Sequence, residues 1–394
     1  MDREYEYLLH LMGAYLREEA PEIDRDVCWE KLQRLAQIHN LTGVLNYVAM
    51  TYPICPDPQK RAMHRRLCMS TIVGFSTRGA LAEEFSQTLS DNGIDHIMMK
   101  GFVLKEFYPV PELRTYGDID LVIRKEDRAK CHKLMKALGF AVEVDWEPVY
   151  SYRRDTEFYE HHTELLETDI SVKANCRDYF RDPWAHAHRV EDSRFEFEPA
   201  YHFLYLLTHL AKHVEDSGAG IRMYLDIAVF VKHYGKTLNW DSVEKELHIL
   251  SLWDFANMVL HVTEKYFGIR SPLVGRPVDP EVMEAFLELT MEGGIFGLIG
   301  MDAGITSLKK ESRVRGGFSR LGTIKNRLFP AAETIETRYT YLQKKPWLLP
   351  VAWIHRLAIS GSSFREHTEE VRGILSADQE KVEKLNRICK EIGL

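Results

Sequence analysis

Residues 114–123 read Arg-Thr-Tyr-Gly-Asp-Ile-Asp-Leu-Val-Ile, a stretch that leaves the chain few ways to fold. A short apolar run bounded by glycine reads as a strand. Successive strand side chains point to opposite faces, so Asp118 and Asp120 lie side by side while Ile119 and Leu121 turn the other way. Two carboxylates this close raise each other's pKa and cost stability unless a cation neutralises them. For an arbitrary Asp-x-Asp pair the plain reading is a solvated edge strand. The flanks argue against that reading here. Residues 94–99 form a second short, mostly apolar run that ends in Lys100-Gly101, and Leu121, Val122 and Ile123 carry the acids into a buried-looking strand.

A chain of 394 residues with 45% hydrophobic content has room for two or three domains with real cores. The formal charge of -8 speaks against a general affinity for nucleic acid backbone, which needs many phosphate-neutralising cations. Six cysteines are scattered without Cys-x-x-Cys spacing, so neither a zinc site nor a disulfide framework is expected. The start, Met1-Asp-Arg-Glu-Tyr-Glu, lacks the basic and apolar parts of a signal peptide, and no apolar run is long enough to span a bilayer. The expectation is a cytoplasmic protein with no membrane partner.

Three regions follow from the hydrophobic pattern. Residues 1–90 carry helical periodicity, and residues 91–198 alternate strand and helix. From 199 to 394 the pattern is helical, with a charged amphipathic tail helix at 366–394 that packs on the helical domain. In the middle region, strands are expected at 94–99, 119–123, 140–144, 149–154, 157–160 and 165–172, with helices at 102–107 and 126–138. The expected fold class is α+β: a mixed, largely antiparallel sheet with helices, set between an N-terminal helical region and a large C-terminal helical domain.

Several motifs together carry a resemblance. They are Met99-Lys100-Gly101, Tyr108-Pro109, Arg114, the block from Gly117 to Val122 and Leu138-Gly139-Phe140. Further along come His209-Leu-Ala-Lys-His213, Ser217-Gly-Ala-Gly-Ile-Arg222 with Asp226, Arg327-Leu-Phe-Pro330, Arg338-Tyr339, Pro346-Trp-Leu-Leu-Pro350, Trp353 and Arg356. Over residues 90–360 the chain resembles the uncharacterised bacterial nucleotidyltransferases of the DNA polymerase beta-like superfamily. The resemblance implies a catalytic domain at 91–198. It also implies movement of a nucleoside monophosphate from a nucleoside triphosphate such as ATP to a hydroxyl acceptor, with pyrophosphate leaving and Mg²⁺ or Mn²⁺ as cofactor. Two such ions want three carboxylates. Asp118 and Asp120 supply two, and the third is expected from residues 165–172, where Glu167 and Asp169 share one strand face; relatives tend to carry histidine near Asp169, which leaves the choice between the two open. The implied catalytic set is therefore Asp118, Asp120, Glu167 and Asp169, with Asp118, Asp120 and Glu167 on metal. Lys100-Gly101 stands where the wider superfamily has a Gly-Ser turn cradling the triphosphate, and there glycine admits the backbone while lysine supplies a compact charge.

Other candidates keep two readings each. Arg114 reaches a phosphate or pairs structurally with an acid. His209 and His213 share one helical face; Leu210 stands where a His-Glu-x-x-His motif has its Glu, so they face the cleft or sit in the core rather than bind zinc. Arg222 and Asp226 form an i, i+4 ion pair at a helix junction or, as the resemblance favours, a wall of the nucleotide site. The basic segment 309–327 grips a polyanionic acceptor such as RNA or is a solvated loop; the loop reading fits the acidic chain better, and a small-molecule acceptor is expected over nucleic acid. Two other function classes compete. One is an Asp-x-Asp glycosyltransferase, which places several β-α units before the motif, and the other is a catalytically degenerate nucleotide-binding module.

Overall fold

The computed structural model describes residues 2–55, 57–166, 170, 175–216, 218–273, 275–293, 307–309, 311, 319–336, 338–359 and 371–394. Four helices lead into the sheet: α1 (Arg3–Arg17), α2 (Trp29–Ile38), α3 (Thr42–Thr51) and α4 (Pro58–Asp91). Their starts are local chemistry. The Asp2 carboxylate accepts from the Glu4 amide, and Asp57 accepts from Gln59 and Lys60 with Pro58 in the first turn. The apolar faces of α1 to α3 do not form a core of their own. Leu8, Met12, Leu32 and Leu45 join one cluster with residues of the C-terminal helices α8 (Pro199–Asp216), α9 (Ile221–Tyr234), α10 (Trp240–Ile249) and α11 (Trp253–Phe267). Arg17 fastens the contact by donating to the Phe267 carbonyl at 2.7 Å.

Between these helical parts lies a seven-stranded mixed sheet of order β3-β4-β5-β2-β1-β7-β6. Its strands are β1 (His96–Met98), β2 (Ile119–Ile123), β3 (Ala141–Trp146), β4 (Val149–Arg154), β5 (Glu157–His162), β6 (Ala187–Glu191) and β7 (Arg194–Phe197). β2 runs antiparallel to β1 and parallel to β5. The period-2 pattern sorts its two faces. Ile119, Leu121 and Ile123 pack with Phe85 and Leu89 of α4 and with Cys131 and Met135 of α6 (Arg128–Ala137), while Val122 joins the large helical core on the opposite face. Asp120, alternate with Leu121 like Val122, therefore faces the C-terminal helices. The α+β class read from the sequence is the class of the structure.

Two differences bear on function. The strand expected at 165–172 is not seen in its described part: Leu165, Leu166 and Ile170 lie in no strand, and Glu167, Asp169 and residues 171–174 lie outside the described residues. The reason is positional, since β5 already occupies the place beside β2 and its other edge is taken by β4. The hairpin of β6 and β7 was not anticipated: Arg194-Phe195-Glu196-Phe197 alternates, but over only four residues, and β6 is mostly polar. The tail expected as one helix over 366–394 is interrupted at residues 377–378: residues 371–376 are helical, the helix Gln379–Glu391 buries Val382, Leu385 and Ile388 in the large core, and residues 366–370 lie outside the described residues. No helix of the described residues is long and apolar enough to cross a membrane.

The core also sets a pH limit. Burial pushes His161 down to about 3, and His39 and His202 to about 4, from an ordinary value of 6.5. All three stay neutral in the fold while the unfolded chain takes up protons below pH 6.5, so stability falls as pH drops from 6.5 toward 4. By pH 5 each contributes a loss of about 2 kcal/mol. Thermal unfolding should show a melting temperature markedly lower at pH 5 than at pH 7; a flat profile over that range would contradict the burial of these rings as neutral species.

Candidate active site

One face of β2 and β5, the β1 terminus and helices α8 and α9 enclose a cavity of about 940 Å³. Parallel pairing sets Asp120 opposite Glu160 and Val122 opposite His162, so Asp120 meets an i, i+2 glutamate and histidine of β5 on the same face. The ligand atoms of Asp120, Glu160 and His162 all lie within 4.8 Å of one another. His162 Nε2 is 3.0 Å from Asp120 Oδ1 and 3.7 Å from Glu160 Oε2.

Lys100 closes this cluster from the β1 side. Its Nζ donates to Asp120 Oδ1 at 2.6 Å, and its backbone sits at φ 52°, a left-handed conformation costly for a lysine and a mark of a position held by its surroundings. Glycine is required next to it: a Cβ on Gly101 would stand 2.2 Å from Arg114 Nη1. The electrostatics of the two aspartates diverge. Burial alone would raise the Asp120 carboxyl, but Lys100 and His162 hold it well below its ordinary range. Asp118, one residue before β2, is raised by the Asp120 charge and then by burial. Burial also lowers His162 and so favours the neutral imidazole. The cluster thus holds one firmly ionised carboxylate, one strained by its neighbour, a third acid and a neutral imidazole. That is a donor set for a divalent cation.

The wall facing the acids carries the cations Arg222 and Lys212, while burial holds His209 neutral. Arg222, Lys212, His209 and His213 line it, with Arg114 and Asp226 between α9 and the approach to β2. Arg114 binds Asp226 in a fork, Nε to Oδ1 at 3.0 Å and Nη2 to Oδ2 at 2.6 Å, and the Tyr108 hydroxyl donates to Oδ1 at 2.7 Å. Of the two readings of Arg114, the structure shows the pairing with an acid. Of the two readings of Arg222 and Asp226, the i, i+4 ion pair is not the contact made: both carboxylate oxygens go to Arg114, while Arg222 Nη1 donates to the Thr115 carbonyl at 2.7 Å, and both residues line the cavity, as the other reading has it. Burial and the adjacent Arg114 charge push the Arg222 guanidinium down to about 10. His209 and His213 approach each other at 3.2 Å between their Nε2 atoms; among the described residues, the group of three or more candidate metal ligands is the Asp120, Glu160 and His162 cluster, not this pair.

Glu160 and His162 were not singled out in the sequence. The signal was the Glu-x-His repeat of the Asp-x-Asp spacing on a neighbouring strand, but only the parallel register shows that the two pairs meet. In the basic segment, Lys309 is a core residue that donates to the Val214 carbonyl at 3.0 Å, so it is not available to an acceptor; Lys310, Arg313 and Arg315 lie outside the described residues.

A family model described as uncharacterised nucleotidyltransferase matches residues 25–268, more than half of the chain. The chain belongs to this nucleotidyltransferase family. The matched span starts just before α2 and ends at Gly268, which closes α11 in a left-handed conformation, so it takes in the whole sheet and the helices that wall the cavity. Among solved structures, the antibiotic-resistance factor ANT(2'')-Ia is similar at 13% identity and a TM-score of 0.32, over 43% of this chain and 89% of that one. No curated protein matches.

Proposed function

We propose that this nucleotidyltransferase moves a nucleoside monophosphate from a triphosphate, such as ATP, to a hydroxyl of a small molecule or protein, with pyrophosphate as the leaving group. The observation that carries the reading is the meeting of Asp120, Glu160 and His162 on one sheet face, with Asp118 just before the strand and Lys100 paired to Asp120, across the same cavity from Lys212 and Arg222. Asp118, Asp120 and Glu160 would hold Mg²⁺ or Mn²⁺, which when bound neutralises the charge developing on the phosphoryl oxygens. Lys100, relieved of its pairing with Asp120, has a compact ammonium to offer the triphosphate, and Arg222 adds a second cation from α9. Glu160, on β5, borders Asp120 on the side away from Lys100, and in this reading it takes the hydroxyl proton of the acceptor. We assign catalysis to residues 91–198 and the facing wall to the helical region 199–394.

The test is incubation with each α-labelled triphosphate, Mg²⁺ or Mn²⁺ and cell extract. Label in a discrete product with release of pyrophosphate is expected. Saturable triphosphate binding without any transfer would support a binding module, and transfer from a nucleotide sugar instead would support a glycosyltransferase.

The third carboxylate is separately checkable. Glu160→Gln should lower turnover by on the order of a hundredfold or more, as for other electrostatic groups aimed at a reacting centre. Glu167→Gln and Asp169→Asn should have smaller effects. A harmless Glu160→Gln beside a crippling change at Glu167 or Asp169 would move the third ligand to that segment.

A further inference from the structure

We propose that His162 ligates the same cation as Asp120 and Glu160, making a mixed imidazole and carboxylate centre that takes Mn²⁺ and similar first-row ions in preference to Mg²⁺. The proposal rests on the reading that the acid cluster is a metal site. Its first support is spacing. Adjacent ligands of an octahedral ion with bonds of about 2.1 Å lie roughly 3.0 Å apart, and ligands facing each other across it about 4.2 Å apart. His162 Nε2 stands 3.0 Å from Asp120 Oδ1 and 3.7 Å from Glu160 Oε2, with all three ligand atoms within 4.8 Å. A ring nitrogen that only supported an acid from behind would not also approach the second carboxylate.

The second support is the ring's other nitrogen. His162 is buried, and among the described residues no protein group pairs with its Nδ1. With no partner on Nδ1, no described protein group fixes the tautomer, so Nε2 is not committed to donating to Asp120. Here nothing described holds the proton on Nε2. A cation arriving between the two carboxylates can therefore displace that proton to Nδ1 and take the Nε2 lone pair, replacing the His162 contact to Asp120 and the Lys100 contact to the same oxygen. Burial alone does not explain the arrangement, because His161, the next residue on the opposite face, is as deeply buried but meets Cys131, Phe85 and Tyr152 rather than acids.

The third support is donor chemistry. Carboxylates suit Mg²⁺ and Mn²⁺ alike, whereas imidazole adds affinity for first-row transition ions and little for Mg²⁺. One nitrogen in the set is enough to separate the two ions.

The experiment uses the full chain, freed of metal, with Mn²⁺ alone as the probe, followed by electron paramagnetic resonance; Mg²⁺ is added as competitor. Wild type should bind Mn²⁺ at least tenfold tighter than Mg²⁺, and electron spin echo should show nitrogen coupling from the bound imidazole. The second readout needs no variant. In His162→Gln, Mn²⁺ affinity should fall by about ten- to a hundredfold, the range seen when histidine geometry at a metal is disturbed, with Mg²⁺ affinity nearly unchanged and the nitrogen coupling gone. Tight Mn²⁺ binding without nitrogen coupling in wild type, or an unchanged Mn²⁺ to Mg²⁺ ratio in His162→Gln, overturns the proposal and leaves the carboxylate site standing. Wild type that binds neither ion, with or without triphosphate, overturns the metal reading beneath it as well.

Discussion

Asp118→Asn and Asp120→Asn should both abolish transfer, by on the order of a hundredfold to a thousandfold or more, yet shift the stability of the metal-free protein in opposite directions. The amide keeps the shape of each side chain and removes the charge that would hold a cation. What differs is the company each charge keeps. Asp120 is buried with Lys100 at 2.6 Å and His162 at 3.0 Å, so Asp120→Asn leaves a buried ammonium without its counter-charge. Breaking one side of a buried pair costs about 3–5 kcal/mol. Asp118 is instead held at a raised pKa by the Asp120 charge. Removing it relieves a repulsion, and the melting temperature should rise. The pH dependence follows from the sign of that shift. A carboxyl whose folded pKa lies above its ordinary 3.8 penalises the fold only where it is ionised, so the gain from Asp118→Asn is full at pH 7 and fades as pH falls toward 4. Thermal unfolding without metal, paired with label transfer, checks both halves. Stability changes of the same sign in the two variants, or turnover retained in either, would contradict this account of the pair.

The ease with which β2 could be read explains why the rest of the site could not. Period-2 alternation, a preceding glycine and β-branched residues are local signals, and the strand runs from Ile119 to Ile123 as expected. β4, at Val149–Arg154, was legible from its Val-Tyr-Ser-Tyr run after Pro148. Glu160 and His162 carry no such mark, because their meaning depends on which strand pairs with β2. The choice between β5 and residues 165–172 is made by long-range pairing, and the parallel register that sets Glu160 against Asp120 has no signature in either segment. Arg114 and Asp226 show the same limit. They are 112 residues apart, and helical spacing pointed to Arg222 as the partner of Asp226 because that neighbour is the one a sequence displays. The hairpin of β6 and β7 failed differently: β7 alternates over only four residues, too short a run to stand out, and the edge strand β6 is polar and exposed along most of its length.

Asp226→Ala should destabilise the fold about as strongly as Asp120→Asn. Its carboxylate receives the Arg114 fork and the Tyr108 hydroxyl, all three side chains are buried, and the contact joins the approach to β2 to helix α9. Alanine leaves a guanidinium uncompensated in the interior, a loss of about 3–5 kcal/mol. Restoring an apolar pair tests the cause. Arg114→Met combined with Asp226→Leu removes both charges at similar volume, and such exchanges of buried ion pairs are often neutral or stabilising. The double variant should therefore recover most of the melting temperature lost in Asp226→Ala. Its triphosphate affinity then separates the two roles of Arg114. If the guanidinium only braces Gly101 and α9, the double variant binds triphosphate nearly as wild type does. If it also serves the phosphates, stability returns while affinity stays low. The fork to Asp226 occupies Nε and Nη2, and Nη1 donates to the Thr115 carbonyl at 3.2 Å, so the first result is expected. A stable double variant that no longer binds triphosphate would return Arg114 to the nucleotide site.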